Sequence, residues 1–155
     1  MNTIGTIHTE YSSLKNMPIQ PMGAGNTIGR IVLHKEFQDG LIDLAGFSHI
    51  YLIYLFHLSN SYNLLVQPFL DDKVHGVFAT RAPRRPNPIG ISIVKITSIH
   101  CNVIEIEGAD IVDGTPLLDI KPYIKQFDRI EHSRSGWLNS SADEVRNKKS
   151  DNQFI

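Results

Sequence analysis

Prolines and glycines recur along this chain at spacings that leave room for short strands and almost none for helices. Asn2 to Thr9 and Gly29 to His34 read as strands, the second with Ile31, Val32 and Leu33 bracketed by Gly29 and polar residues. Between them, Asn16 to Asn26 holds Pro18, Pro21, Gly23 and Gly25 and must be a loop, long enough to line a pocket. Phe37 to Leu44 fits one or two helical turns ending near Gly46. The apolar run His49 to Leu58, with Tyr51, Ile53, Tyr54 and Phe56, reads as a central strand buried on both faces, and Val74 to Thr80 as another strand. Ala82 to Pro88 carries three prolines and cannot pair, whereas Ile89 to Ile99 alternates apolar with polar. A polar turn at His100-Cys101-Asn102 joins that strand to Val103 to Gly108, which makes a hairpin.

About six or seven strands with little helix between them define an all-β barrel or sandwich. No Gly-x-Gly-x-x-Gly follows a strand, so a doubly wound nucleotide site is excluded. A chain of 155 residues that is 41% hydrophobic supports one compact domain. That domain is expected over 1–126, and 127–155 reads as a polar C-terminal extension, a tail or a short helix. Ser141 with Glu144 fits a capping box there, and Trp137 and Leu138 are apolar anchors for docking on the barrel or on a second subunit.

Cys101 is the only cysteine, so no internal disulfide and no cysteine-based zinc site can form, and a reducing, cytoplasmic setting is expected. The longest apolar run, Ile50 to Phe56, falls well short of the roughly 20 residues of a membrane helix, so no membrane span is expected. The start, Met1-Asn2-Thr3-Ile4-Gly5, lacks the features of a signal peptide. The overall charge of −1 hides an asymmetry. Lys73, Arg81, Arg84, Arg85 and Lys95 occur between Lys73 and Ile104 with no acid among them, which suits one anionic ligand surface or an ordinary solvated face.

Two stretches carry chemistry. In the first, Arg81, Arg84 and Arg85 stand among Pro83, Pro86 and Pro88. Proline fixes φ and lowers the entropy cost of ordering the loop, so the guanidinium groups are preset for bidentate contacts with carboxylate or phosphate. A stiff surface turn with solvated arginines is the competing reading. In the second stretch, Asp110, Asp113 and Asp119 surround the tight turn Asp113-Gly114-Thr115-Pro116. Acids there suit a cation or ribose hydroxyls, or merely cap the turn. None of the seven histidines pairs with another at ligand spacing on a helix, so metal dependence is not expected. His57 ends the apolar run and reads as a hydrogen-bonded core histidine or a catalytic one. Ser92 and Cys101 lack a nucleophile's context.

Taken together, Gly76-Val77-Phe78-Ala79-Thr80-Arg81, the core Arg85-Pro86-Asn87-Pro88-Ile89-Gly90, Asp113-Gly114-Thr115-Pro116 and Asp119-Ile120-Lys121-Pro122-Tyr123 resemble the signatures of the TsaA-like, TrmO family. Ile4-Gly5, Phe47-Ser48-His49 and Phe56-His57 extend the resemblance over about residues 1 to 125. It implies a six-stranded β-barrel with short helical excursions that binds S-adenosylmethionine without a Rossmann fold, as a homodimer with the cofactor near the subunit interface. The implied activity is N6-methylation of N6-threonylcarbamoyladenosine beside the anticodon of tRNA. Positions matching the family's cofactor contacts are Gln20, Pro21, Met22, His57, Leu58, Arg81, Ile91, Asp110, Ile111, Val112 and Asp113. The chain carries Ile19 where the family commonly has an arginine before the glutamine, and its polar tail stands where some relatives have a further tRNA-holding domain.

Methyl transfer from a sulfonium asks the protein to exclude water, align the acceptor nitrogen and manage charge. Asp113 and His57 are the expected candidates for a base, because the urea-like nitrogen must lose a proton. Arg84, Arg85, Asn87, Lys121 and Tyr123 are left for RNA phosphates, the threonyl carboxylate or base stacking. Two other classes remain open: a methyltransferase of the same fold acting on a small nitrogen-containing metabolite, and a non-catalytic cofactor- or RNA-binding module.

Overall fold

The computed structural model describes residues 2–13, 17, 25, 27–138 and 147. Six strands close into an antiparallel barrel: β1 (Gly5–His8), β2 (Ile28–Leu33), β3 (His49–Leu55), β6 (Ile89–His100), β7 (Val103–Glu107) and β8 (Thr115–Pro122). Around the barrel they run β1-β2-β7-β6-β3-β8, and β8 returns to β1. Closure removes the exposed sheet edges that an open sheet must protect. A separate two-stranded ribbon pairs β4 (Leu65–Val66) with β5 (His75–Gly76).

The alternation of each strand places one side-chain set inside. Ile7, Ile31, Leu33, Ile50, Leu52, Val94, Ile104, Ile106 and Leu117 fill the interior. Gly5 is required where β1 crosses β2, since a Cβ there would lie 2.5 Å from the Val32 carbonyl oxygen. The β6–β7 hairpin forms as its turn residues predict, with Cys101 itself in the left-handed region (φ 53°). The expected helical turns are 3-10 helices at Lys35–Leu41 and Leu44–Gly46.

Four readings of the sequence need correction. The run from His49 is buried on one face only, because β3 alternates half-buried with buried residues and stops at Leu55. Only His75 and Gly76 of the segment from Val74 to Thr80 pair, and a 3-10 turn at Val77–Ala79 follows. Beyond the Asp113-Gly114 turn, the acidic stretch continues as β8, which holds both Pro116 and Asp119 and pairs with β1 and β3. The first strand is the shorter Gly5–His8. A short helix α1 (Lys125–Asp128) follows β8. The Trp137 indole then stacks on His75 at 4.5 Å and donates its N–H to the Ala79 carbonyl at 2.9 Å, so this part of the extension docks on the ribbon. The expected Ser141–Glu144 capping box lies outside the described residues. Among the described residues no helix is long and apolar enough to cross a membrane.

Candidate active site

At the end of β3 the chain leaves the barrel through Phe56, His57, Leu58 and Ser59 and meets the β7–β8 connection, Gly108 to Gly114. The two segments wall an open cleft with about 460 Å³ of empty space, its solvent-filled mouth included. Met17, Tyr54, Phe56, His57, Leu58, Ser59, Pro83, Asp110, Ile111, Val112 and Thr115 line it. The arginine–proline loop reaches the rim through Pro83, whose carbonyl accepts the Ser59 hydroxyl at 3.2 Å. Beneath that loop Val66, Val77 and Ala82 form a small second core that ties it to the ribbon.

The polar groups of the cleft form an ordered chain. Ser92, 3% exposed on the inward face of β6, donates its hydroxyl to Asp110 Oδ1 at 2.7 Å. Tyr54 Oη lies 3.1 Å from Ser92 Oγ. Since the single Ser92 hydrogen is committed to the carboxylate, Tyr54 must be the donor in that second bond. Burial pushes the Asp110 carboxyl up to about 6, against the Ser92 hydrogen bond and the Arg81 charge, which favour the ionised form. Burial, and then the Asp110 charge, raise the Tyr54 phenol as well. Gly90, opposite Tyr54 across the β3–β6 ladder, leaves room for the ring.

His57 lies 3.4 Å through Nδ1 from Thr115 Oγ1, which donates its hydrogen to the Val112 carbonyl at 2.7 Å. The hydroxyl can therefore only accept from His57, which leaves Nε2 of the neutral ring as an acceptor.

Of the expected cofactor contacts, His57, Leu58, Asp110, Ile111 and Val112 are brought together in this cleft. Arg81 acts on Asp110 and Tyr54 through its charge. Gln20, Pro21 and Met22 lie outside the described residues. Ile91 points outward from β6 and is 50% exposed. Asp113 does not line the cleft: its carboxylate accepts from the Thr9 backbone N–H and sits against His8 Nδ1, both at 3.1 Å, and it is nearly half exposed. Gly114 beside it takes φ 77°, the left-handed turn that an Asp-Gly pair announces.

The expected substrate residues are dispersed. Arg84 and Asn87 sit on the arginine–proline loop, while the Arg85 guanidinium turns back onto the carbonyls of Thr80 (3.0 Å) and Ala82 (3.4 Å) and rigidifies that loop. Lys121 pairs with Asp119 at 2.9 Å, and the Tyr123 ring leans on Tyr51 at 5.9 Å. Both lie at the far end of β8 from Thr115, about 20–26 Å along the strand. Tyr54, Phe56, Ser59, Ser92 and Thr115 were not among the expected site residues. For Tyr54 and Ser92 the signal was the inward phase of β3 and β6, which places them where those strands otherwise carry Ile50, Leu52 and Val94.

Comparison with known proteins gives a consistent result. The sequence profile of the tRNA-methyltransferase O N-terminal domain matches residues 6–129. A probable S-adenosyl-L-methionine-binding protein of Pyrococcus abyssi is 46% identical over 152 residues, covering 98% of this chain and 83% of that protein. A mouse protein named tRNA (adenine(37)-N6)-methyltransferase is 33% identical over 132 residues, covering 81% of this chain but 31% of its own length. A crystal structure of TrmO superposes with TM-score 0.75 at 36% identity, covering 86% of this chain and 61% of that one. TrmO from Pseudomonas aeruginosa gives 0.73 at 34% identity, covering 87% and 60%. The chain thus spans most of the Pyrococcus relative, about a third of the mouse enzyme and about three fifths of the solved structures. With the family profile matched over residues 6–129 and the fold shared with the solved TrmO structures, this chain belongs to the TrmO family.

Proposed function

We propose that the protein is an S-adenosylmethionine-dependent methyltransferase that methylates N6 of N6-threonylcarbamoyladenosine beside the anticodon of tRNA, with residues 1–126 as the catalytic unit. The observation that carries this reading is the cleft itself, a mainly apolar site with one buried carboxylate at the end of a TrmO-family barrel. Its lining fits the cofactor. Phe56, Leu58, Ile111 and Val112 offer an apolar wall to an adenine ring and a methylene chain, and Asp110 is the one carboxylate on the described lining, the sign that a sulfonium and an ammonium require. When bound, the cofactor supplies a methyl group on a positively charged sulfur. His57, Leu58, Asp110, Ile111 and Val112 hold it, Arg81 takes its carboxylate, and Gln20, Pro21 and Met22 complete the site. The Asp113 turn fixes the path of the 110–112 wall through its bonds to the chain after β1.

A homodimer suits the outer face of the barrel. Ile89, Ile91 and Ile93 project outward from β6 and lie opposite Leu55, Ile53 and Tyr51 of β3, giving an apolar face that a second copy covers. In that arrangement Ile91 reaches the cofactor of the neighbouring subunit. Arg84 and Asn87 meet the RNA at the cleft mouth, with Lys121 and Tyr123 as outlying contacts. The setting is the cytoplasm, where tRNA is its substrate.

Binding of tRNA as a function of salt tests the choice of an RNA over a small metabolite. Two phosphate contacts, through Arg84 and Lys121, give a log–log slope of roughly −1.4, because counterions are released from the RNA. Tight cofactor binding with no salt-dependent tRNA binding would transfer the activity to a small nitrogen-containing acceptor.

A further inference from the structure

The cleft contains a polar relay that cofactor binding alone does not explain. Tyr54, Ser92 and Asp110 come from β3, β6 and the β7–β8 connection, 38 and 18 residues apart along the chain, and they converge at the end of an otherwise apolar barrel interior. Burying such a network costs more than packing apolar side chains of the same shape in its place. Its polarity is one-directional: Tyr54 donates to Ser92, Ser92 donates to Asp110, and Asp110 is the terminal acceptor.

We propose that Asp110 is the catalytic base, taking the proton from the acceptor nitrogen, and that Ser92 and Tyr54 are positioning residues that aim its carboxylate. This rests on the methyltransferase reading above. The nitrogen's electron pair forms the new N–C bond to the methyl of the sulfonium donor while the C–S pair returns to sulfur. The N–H bond breaks, its electrons stay on nitrogen, and the proton passes to Asp110. One cation and one carboxylate are consumed, and a neutral thioether, a methylated nitrogen and a carboxylic acid result.

Asp113, the other acid of the motif, does not line the cleft. The remaining rival is His57, whose Nε2 is an acceptor on the same wall. Among the described residues, the charged and titratable groups facing Asp110 are Arg81 from the arginine–proline loop, Tyr54 from β3 and His57 from the exit of β3. A carboxyl held near 6 is ionised at neutral pH yet a stronger base than an ordinary aspartate.

The test is the pH profile of single-turnover methyl transfer to modified tRNA, run beside cofactor binding by calorimetry and titration of the Asp110 carboxyl by carbon-13 NMR in the cofactor-free protein. The carboxyl titrates near 6 in the cofactor-free protein, and the wild-type rate shows an acid limb at or below that pH, because a bound sulfonium favours the ionised form. Measured with the cofactor at saturation, Asp110→Asn lowers the rate by about 100-fold or more, the scale of general-base catalysis, in addition to weakening the cofactor whose cationic end Asp110 faces. Ser92→Ala removes a hydrogen bond to the charged form, so both the limb and the titration move to higher pH by about one unit. Tyr54→Phe moves them the same way by less. The proposal is overturned if Asp110→Asn keeps its rate, or if the limb stays in place in Ser92→Ala and disappears in His57→Gln. A wild-type protein that methylates no tRNA would remove the functional reading itself; a wild type that does, with the limb unmoved in Ser92→Ala and lost in His57→Gln, removes only the base.

Discussion

Replacing Gly90 by alanine is predicted to destabilise the barrel and to disorder the relay, although the position is an ordinary strand position with no positive φ. At an open site in a strand the change would be favourable by roughly 0.5–1 kcal/mol, because glycine loses more backbone entropy on folding. Here the added Cβ lies on the Tyr54 ring, 2.5 Å from Cζ and 2.9 Å from Cδ2. That ring is buried and braced edge-on against Phe56 at 5.5 Å, so it cannot swing aside freely. Overpacking of this kind costs about 1–3 kcal/mol and outweighs the entropic gain. Urea denaturation of Gly90→Ala, Tyr54→Ala and the double variant forms a cycle that isolates the clash. In the Tyr54→Ala background the glycine substitution should cost nothing or stabilise, giving a coupling of about 1–3 kcal/mol. An equal penalty in both backgrounds, or a fully stable Gly90→Ala protein, would refute the reasoning. The glycine that closes the Arg85-to-Gly90 signature is therefore explained by packing and not by ligand contact.

Three further predictions concern charge and assembly. Asp110 is held at about 6, above its ordinary range, so the folded protein binds that proton more tightly than the unfolded chain. Its stability relative to Asp110→Asn should fall as pH rises from about 4 to about 6 and level off above, leaving the variant more stable by roughly 1–3 kcal/mol at neutral pH, as denaturation across the pH range will measure. Asp113→Ala removes the acceptor of the Thr9 N–H and should cost about 1 kcal/mol, read by the shift of the urea midpoint at constant m. Ile91→Glu places a charge in the outward apolar row of β6 and should give a monomer with weakened cofactor binding, checked by sedimentation and calorimetry.

Local chemistry was readable where one segment decides the outcome by itself. The β6–β7 hairpin, the non-pairing run around Pro83, Pro86 and Pro88, and the Asp113-Gly114 turn all follow from turn residues and alternation. β8 was hidden by Pro116 and Pro122, which usually argue against a strand. They are tolerated because they are its second and last residues, where the ladder tapers. β3 looked buried on both faces because Tyr51, Ile53 and Leu55 are as apolar as Ile50 and Leu52. Composition does not distinguish a face packed inside the barrel from an apolar one left half-exposed on its outside. The relay was hidden for a different reason: Tyr54, Ser92 and Asp110 lie on separate elements, and only barrel closure brings them into one chain of hydrogen bonds. Asp113 drew attention through its place in a motif, but its carboxylate is spent on holding the turn to Thr9.

The most direct test of the account is transfer of a labelled methyl group from S-adenosylmethionine to two preparations of the same tRNA, one carrying threonylcarbamoyladenosine beside the anticodon and one lacking it. Label confined to the modified tRNA, and lost with Asp110→Asn, is the predicted result. Equal labelling of both preparations, or none of either by a protein that binds the cofactor, would contradict it.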